Sequence, residues 1–222
     1  MSNNISSLPD FTQARAYALS KLEHDLPSTL YYHSIWHTRD EVVPRAEWLA
    51  RREGLSAEAR LLVKTAAYYH DVGFVKDREN HELHSAAVAA TVLPQFGYSL
   101  PQIRSIQSMI LATRIPQSPR NRLEEIIADA DLDVLGRDDF LGRSRALRAE
   151  MAVTGQQFDD RAWYTRQAKF LQQHRYFTPS ARYDRCPSKE ENLLMLLDLI
   201  NECGIKPEIS PMTSSVPSFA LT

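Results

Sequence analysis

The sequence contains few glycines and cysteines and has no long apolar run. Only seven of its 222 residues are glycine and no GxxxxGK pattern occurs, which argues against an ATPase with a glycine-rich phosphate loop. No segment approaches the roughly 20 consecutive apolar residues that a membrane helix needs, so we expect no membrane association. The N-terminal segment MSNNISSLPDFTQ lacks the basic flank and the apolar stretch of a signal peptide.

The cysteine content and the net charge further restrict the kind of protein that the sequence can encode. The two cysteines, Cys186 and Cys203, have neither CxxC spacing nor a disulfide-rich context, so we expect a cytoplasmic protein. The formal net charge is -2, without the basic excess that binding to an extended nucleic acid requires. A local basic pocket for a small phosphorylated compound remains compatible with this charge.

Apolar residues at helical spacing dominate the chain, and no segment alternates in the manner of a strand rich in Val, Ile and Thr. The pattern therefore predicts an all-α, single compact domain, with Asp10, Ser56 and Ser99 as candidate N-caps. The predicted helices cover about 9–24, 35–53, 56–71, 80–96, 100–113, 120–135, 138–153, 158–174 and 188–203. We expect residues 1–8 to be a flexible N-terminus and the Ser- and Pro-rich residues 205–222 to be a disordered tail.

Titratable residues fall on the apolar faces of two predicted helices. His70 shares a face with Val63, and Asp131 shares one with Ile127, whereas Asp129 falls toward another face. A carboxylate without a partner inside a core costs several kcal/mol, and a divalent cation held by imidazole and carboxylate supplies such a partner. These ligands suit Mn, Fe, Co, Ni, Zn or Mg. The alternative is that His70 is a hydrogen-bonded core residue and that the DAD tripeptide is surface acid.

Three segments on separate predicted helices form a larger pattern. They are YYHSIWHTRDEVV, AAYYHDVGF and IIADADLDVLG, in that order. The succession His … His-Asp … Asp resembles the HD superfamily of metal-dependent phosphohydrolases, and the resemblance extends over about 31–140, including NHELHSAAVAATVLPQFGYS. The later segment HRYFTPSARYDRCPSKEENLLMLL resembles a C-terminal helical extension found in a small cytoplasmic branch. The resemblance implies an HD-type helical bundle over 9–204, with the extension at about 141–204.

The resemblance also implies a site for one divalent metal ion. Its four ligands would be His37, His70, Asp71 and Asp131. His33 lies four residues before His37 and is its rival; otherwise His33 supports the site or faces the substrate. Asp129 is the rival of Asp131, although the apolar stripe and the family pattern both favour Asp131.

Two departures from the family pattern affect the predicted chemistry. His81 and Glu82 match a His-Glu pair that often follows the doublet, and they are candidates for general acid and base, or else surface groups. The next family histidine is missing from MILATRIPQS, where Arg114 stands instead, and this puts a second metal in doubt. Phe74 replaces a glutamate of some nucleotidase relatives. Asp77 could then assist the attacking water, unless it is a solvated loop acid.

The predicted reaction is hydrolysis of a phosphate ester by metal-activated water, with Asp71 both binding the metal and orienting the nucleophile. The substrate would be a nucleotide or another small phosphorylated metabolite, with His33, Arg114 and Lys76 as its binding residues. Two alternatives are a non-catalytic sensor of metal or nucleotide and an HD-type iron oxygenase, against which the missing histidine counts. A homodimer through an apolar helix face is possible, but the sequence does not identify the face.

Overall fold

A computed structural model describes residues 9–204 of the chain. Within that range it contains nine α-helices and no β-strand, which confirms the predicted all-α class. The helices are α1 (Phe11–His24), α2 (Val43–Arg52), α3 (Ala57–Tyr69), α4 (His81–Val92), α5 (Leu100–Ala112), α6 (Arg122–Asp131), α7 (Phe140–Val153), α8 (Asp160–Gln173) and α9 (Pro179–Glu202). The predicted flexible N-terminus and disordered tail lie outside the described residues.

Shorter helical turns flank the regular helices where the sequence motifs occur. A π-helical turn, His37–Val42, runs directly into α2. A 3-10 turn, Val72–Val75, follows the His70-Asp71 doublet at the end of α3, and another, Asp133–Gly136, follows α6. A third covers Leu93–Phe96 after α4. Each candidate metal ligand therefore lies at or beside the point where a regular helix gives way to a different turn, and π turns in particular are frequent at functional sites.

The predicted N-caps are confirmed. The Asp10 carboxylate accepts a hydrogen bond from the Gln13 backbone N–H (3.0 Å), and the Ser56 hydroxyl accepts one from the Ala59 N–H (3.2 Å). Ser99 forms a capping box with Gln102 at the start of α5. Each cap satisfies a backbone N–H that the first helical turn leaves without a partner.

Buried apolar side chains form two clusters. The larger cluster joins α1 to α6, and Leu49, Val63, Ile106 and Ile127 lie in it almost without solvent exposure. The smaller cluster joins α7, α8 and α9 to the turn Asp133–Gly136. The segments that carry the sequence motifs thus lie between the main bundle and a helical annex made by the C-terminal third of the described chain.

The last helix begins nine residues earlier than predicted. The prediction started it after Pro187 because proline lacks a backbone N–H and usually interrupts a helix. The structure starts it at Pro179, where the Thr178 hydroxyl accepts from the Ala181 N–H (3.2 Å). Pro187 lies inside α9 and leaves the carbonyl of Tyr183, a strongly exposed residue, without its helical N–H partner.

In the described range no helix is long and apolar enough to cross a membrane.

Candidate metal centre and cavity

Four side chains from three separate segments converge between the two clusters. His37 Nε2 lies 3.2 Å from Asp131 Oδ1, and His70 Nε2 lies 3.4 Å from the same oxygen. Asp71 Oδ2 lies 3.3 Å from His70 Nε2 and 3.8 Å from His37 Nε2. The structure thus brings together the four residues expected as metal ligands, and it buries both imidazoles almost completely.

Hydrogen bonds at the opposite ring nitrogens orient both imidazoles. His70 Nδ1 donates to the Ala67 carbonyl oxygen (2.8 Å), and His37 Nδ1 donates to Glu41 Oε2 (3.1 Å). In a neutral ring the lone pair then lies on Nε2, which faces the carboxylates in both cases. Glu41 is itself held by two guanidinium groups, those of Arg137 and Arg143, at 3.1 and 3.0 Å.

The electrostatics of the cluster keep the carboxylates ionised. Burial alone would raise the pKa of Asp71, but the charge of the adjacent His70 imidazole holds it far below its usual value. Burial also opposes ionisation of Asp131, whose pKa is nonetheless depressed by the hydrogen bond from His37 and by the adjacent His70 imidazole. Conversely, the carboxylates outweigh the burial of His70 and raise its imidazole pKa well above the ordinary value. The two carboxylates therefore favour a positive charge between these groups, which is the role that a bound cation would take.

Two buried atoms of the cluster show that a cation fits this site. His70 Nε2 and Asp71 Oδ2 are inaccessible to solvent and have no hydrogen-bond partner among the residues that the structure describes. Buried polar atoms without a partner are uncommon in folded proteins. Two imidazole nitrogens and two carboxylate groups form a donor set for Mn, Fe, Co, Ni, Zn or Mg. The residues present therefore fit a divalent metal ion, whose identity the donor set leaves open.

Gly73 brings the His-Glu pair close to this cluster. A Cβ atom on Gly73 would collide with the His81 carbonyl oxygen, so only glycine allows the turn after Asp71 to touch the start of α4. The Gly73 N–H donates to the Ser85 hydroxyl (2.8 Å) and fixes this approach. As a result, His81 Nε2 lies 3.7 Å from Asp71 Oδ1 and 3.5 Å from Glu82 Oε1.

His33 lies beside the cluster and does not belong to it. Its Nδ1 donates to Glu150 Oε1 (2.6 Å), and its ring stacks on Phe74 with a centroid separation of 4.3 Å. Phe74 stacks in turn on His81 at 3.9 Å. Phe74, which stands where some relatives have an acid, therefore serves as a spacer between two histidines that line the same cavity.

Asp129 and Asp131 face different parts of the molecule. Asp129 was expected on another face than Asp131, and the structure buries it completely against the start of α9. Its carboxylate accepts from the backbone N–H groups of Phe177 and Thr178, both at 2.8 Å, and from the Thr178 hydroxyl at 2.7 Å. All these contacts are structural, and only Asp131 reaches the imidazoles.

Two predicted site residues lie away from the cluster. Lys76 is exposed and lines a separate hollow of about 350 Å³ together with Lys21 and His84. The Asp77 carboxylate binds His84 Nε2 (2.5 Å) and the Asn80 N–H (2.8 Å), so it closes the loop before α4. Lys76, expected to bind the substrate, and Asp77, expected to assist the attacking water, are therefore absent from the lining of the cavity beside the cluster.

A cavity of about 740 Å³ opens from the cluster, and its size is in the range of small-molecule sites. Asp71 and Asp131 line it, as do His33, His81 and Glu82. Arginines from different elements also line it: Arg78, Arg114, Arg143 and Arg166. Arg114 is exposed at the end of α5, in the position where the sequence lacks the family histidine.

Several residues of the site were not identified from the sequence. Glu41 was detectable in principle, because it stands four residues after His37 and so shares its helix face. Glu150 is separated from His33 by 117 residues, and only the fold brings them together. Arg143 lies in a basic stretch, RSRALR, that carries no signal for the side chain that turns inward.

Comparison with known proteins supports the family pattern. Residues 37–133 match the model of the HD domain family, and this segment contains all four clustered residues. No curated protein sequence matches the chain.

Solved structures share the fold at low sequence identity. A structure from an uncultured Thermotogales bacterium, described as a predicted HD superfamily hydrolase, has 17% identity and a TM-score of 0.56, covering 90% of this chain and 94% of its own. YpgQ from Bacillus subtilis, in complex with ADP, has 19% identity and a TM-score of 0.63, covering 90% and 96%. A protein from Lactobacillus plantarum has 14% identity and a TM-score of 0.61, covering 90% and 97%. Residues 37–133 thus match the HD domain family, and the described chain shares its helical fold with these structures.

Proposed function

We propose that this protein is a metal-dependent phosphohydrolase that cleaves a phosphate ester of a nucleotide or another small phosphorylated metabolite. The observation that carries the proposal is that the His37, His70, Asp71 and Asp131 cluster opens through its two aspartates into a cavity of about 740 Å³ lined by arginines. A buried cluster without access would suit a structural metal equally well, whereas this one can meet a substrate.

The four clustered residues would hold the ion, and three or four protein ligands leave coordination positions open for substrate and water. When bound, a divalent cation lowers the pKa of water and neutralises charge on the phosphoryl oxygens. Glu41 and the Ala67 carbonyl keep the two imidazoles in the orientation that such a site needs.

Two residues of α4 supply candidates for proton transfer. Glu82 lines the cavity, is buried, and has no hydrogen-bond partner for its Oε2 within residues 9–204, so we assign it as the group that would accept a proton from an attacking water. His81 Nδ1 donates to the Arg78 carbonyl oxygen (2.9 Å), which leaves Nε2 facing the cavity beside Asp71. A leaving alkoxide positioned there would take the Nε2 proton of a His81 imidazolium, which would return to the neutral ring with Nδ1 still bound to the Arg78 carbonyl.

Recognition of the phosphate falls to the arginines of the cavity. Arg78 is paired with Glu150 (2.6 Å) and Arg143 with Glu41 (3.0 Å), so carboxylates already offset their charges. Arg114 and Arg166 form no ion pair with the part of the chain that the structure describes. Because Arg166 lies over the Phe158 ring (5.6 Å), we assign Arg114 as the phosphate-binding residue in place of Lys76. The ADP complex of the Bacillus subtilis protein with this fold favours a nucleotide as the substrate.

The test is phosphate release from a panel of nucleotides and small phosphoesters, with Mn²⁺ or with a chelator. We expect release that requires the metal, that disappears in Asp71→Ala and that survives in Asp198→Ala, since Asp198 is an exposed acid on α9. If the wild type binds Mn²⁺ and releases no phosphate from any member of the panel, the hydrolase assignment is wrong and a sensing role takes its place.

A further inference from the structure

The cavity continues from the metal cluster into a pouch walled by α7, α8 and the turn before α7. We define the pouch by five apolar side chains, which are Leu135, Phe140, Leu147, Met151 and Phe170. Three of them, Leu135, Phe140 and Met151, are buried, so they form a fixed apolar wall that faces the space.

One polar group with no internal partner faces this pouch. Gln167 lies on α8, is only 6% exposed and lines the cavity, yet its amide takes part in no hydrogen bond with residues 9–204. Ser144, also buried and lining the cavity, accepts a hydrogen bond from the Trp163 indole N–H (3.0 Å), so its hydroxyl is already anchored. The Gln167 amide, with two N–H donors and one carbonyl acceptor, is therefore a hydrogen-bonding group on a buried residue that is free to pair with an occupant of the pouch.

The apolar wall and the Gln167 amide together determine which class of molecule fits the pouch. A purely apolar group would cover the Gln167 amide without pairing it, which costs free energy. A sugar or phosphate would leave Phe140, Met151 and Phe170 against polar atoms. A planar heteroaromatic ring has apolar faces and an edge of donors and acceptors, so it satisfies both parts of the pouch.

We propose that the pouch binds the nucleobase of a nucleotide and that the Gln167 amide reads the hydrogen-bonding edge of that base. This assignment rests on the proposed function, because it places the phosphate of the same molecule at the metal cluster. Phe140, Met151 and Phe170 contact the faces of the ring. Gln167 is the residue that determines specificity.

The experiment measures binding of the base and binding of the phosphate separately. NMR titration of the Mg²⁺-loaded protein measures the dissociation constants of the four ribonucleosides, which carry a base and no phosphate, and of inorganic phosphate, which carries no base. The variant is Gln167→Leu, which keeps the side-chain volume and removes the amide. The matched control is Gln172→Leu, on the exposed side of α8 and outside the cavity lining.

We expect the wild type to bind at least one nucleoside and Gln167→Leu to bind it about tenfold more weakly, the effect of one or two lost hydrogen bonds. Inorganic phosphate should bind both variants as it binds the wild type, which shows that both are folded. Wild-type protein that binds phosphate and no nucleoside would overturn the proposal, and so would equal nucleoside affinity in Gln167→Leu and wild type. Nucleoside binding that depends on Gln167, without phosphate release from any nucleotide, would support the pouch and refute the hydrolase. Phosphate release with no nucleoside binding would do the reverse.

Discussion

Glu150 offers the most quantitative test of how the cavity is held in shape. Its carboxylate is buried on α7 and accepts hydrogen bonds from the backbone N–H groups of Tyr32 and His33 at 2.9 and 3.0 Å. It also accepts from His33 Nδ1 and from Arg78 Nη1, both at 2.6 Å. One side chain thus ties the segment before His37 and the loop before α4 to the helical annex. The Glu150→Gln variant keeps the shape and an acceptor for the backbone, and it removes the charge.

The contribution of Glu150 to the unfolding free energy follows from its pKa. Burial would raise that pKa, but the hydrogen bonds from His33 and Tyr32 and the charge of His33 lower it from 4.5 to about 2. Because the folded pKa is depressed, the stabilisation is fully present above about pH 5 and is lost as the pH falls toward the folded value. The difference corresponds to roughly 3 kcal/mol of unfolding free energy at neutral pH, of which about 2 kcal/mol is gone near pH 3.

Urea denaturation between neutral pH and about pH 3 measures this contribution. We expect Glu150→Gln to be less stable than wild type by roughly 3 kcal/mol at neutral pH and by roughly 1 kcal/mol near pH 3, because the protonated Glu150 resembles the amide. The exposed Glu191→Gln on α9 is the control and should follow the wild type throughout. A wild type and a Glu150→Gln variant that differ by a constant amount over the whole pH range would refute the reasoning.

Three further predictions concern the metal cluster. Asp129→Ala should lower the unfolding free energy by about 3 kcal/mol, because it leaves buried N–H groups unpaired, and it should still bind Mn²⁺. Asp131→Ala should lose Mn²⁺ binding. Urea denaturation and metal titration of both variants measure these effects, and the reverse pattern would contradict the prediction. Glu41→Gln should weaken Mn²⁺ binding by about 10–100-fold, because Glu41 orients the His37 imidazole. The control is Glu47→Gln, since Glu47 forms its ion pair with Arg51 away from the cluster. Equal Mn²⁺ affinity in the two variants would exclude the orienting role of Glu41. Gly73→Ala should lower the melting temperature and abolish phosphate release, because the added methyl group forces the Asp71 turn away from α4; an unchanged melting temperature would count against the contact.

The helices and their N-terminal caps were predictable from local pattern. Asp10, Ser56 and Ser99 each precede an apolar helical stripe, and a cap acts only on the first turn that follows it, so nothing distant is needed to identify it. The inward placement of His70 and Asp131 was also predictable, since both lie on the apolar faces of their helices, whereas their convergence was implied only by the resemblance to the HD pattern.

The start of α9 was not predictable in the same way. A proline at 187 is a local argument against a helix, and what opposes it is long-range. Thr178, which caps the helix, is itself fixed by Asp129 from α6, and Arg185 binds Asp133 at 2.8 Å beyond the same helix. Tertiary contacts therefore extend a helix that local preference would shorten.

The DAD tripeptide shows why residue type alone cannot separate a metal ligand from a structural carboxylate. Asp129 and Asp131 are two residues apart on one helix, and both are removed from water to a large degree. The difference lies in what offsets their charge. Three N–H and O–H groups of Phe177 and Thr178 satisfy Asp129, while Asp131 faces two imidazole Nε2 atoms whose Nδ1 atoms are already engaged. A cation at Asp129 would compete with fixed donors of the protein itself, whereas a cation at Asp131 would displace only protons. The location of the proposed metal site thus follows from the partners of each carboxylate, which only the folded chain reveals.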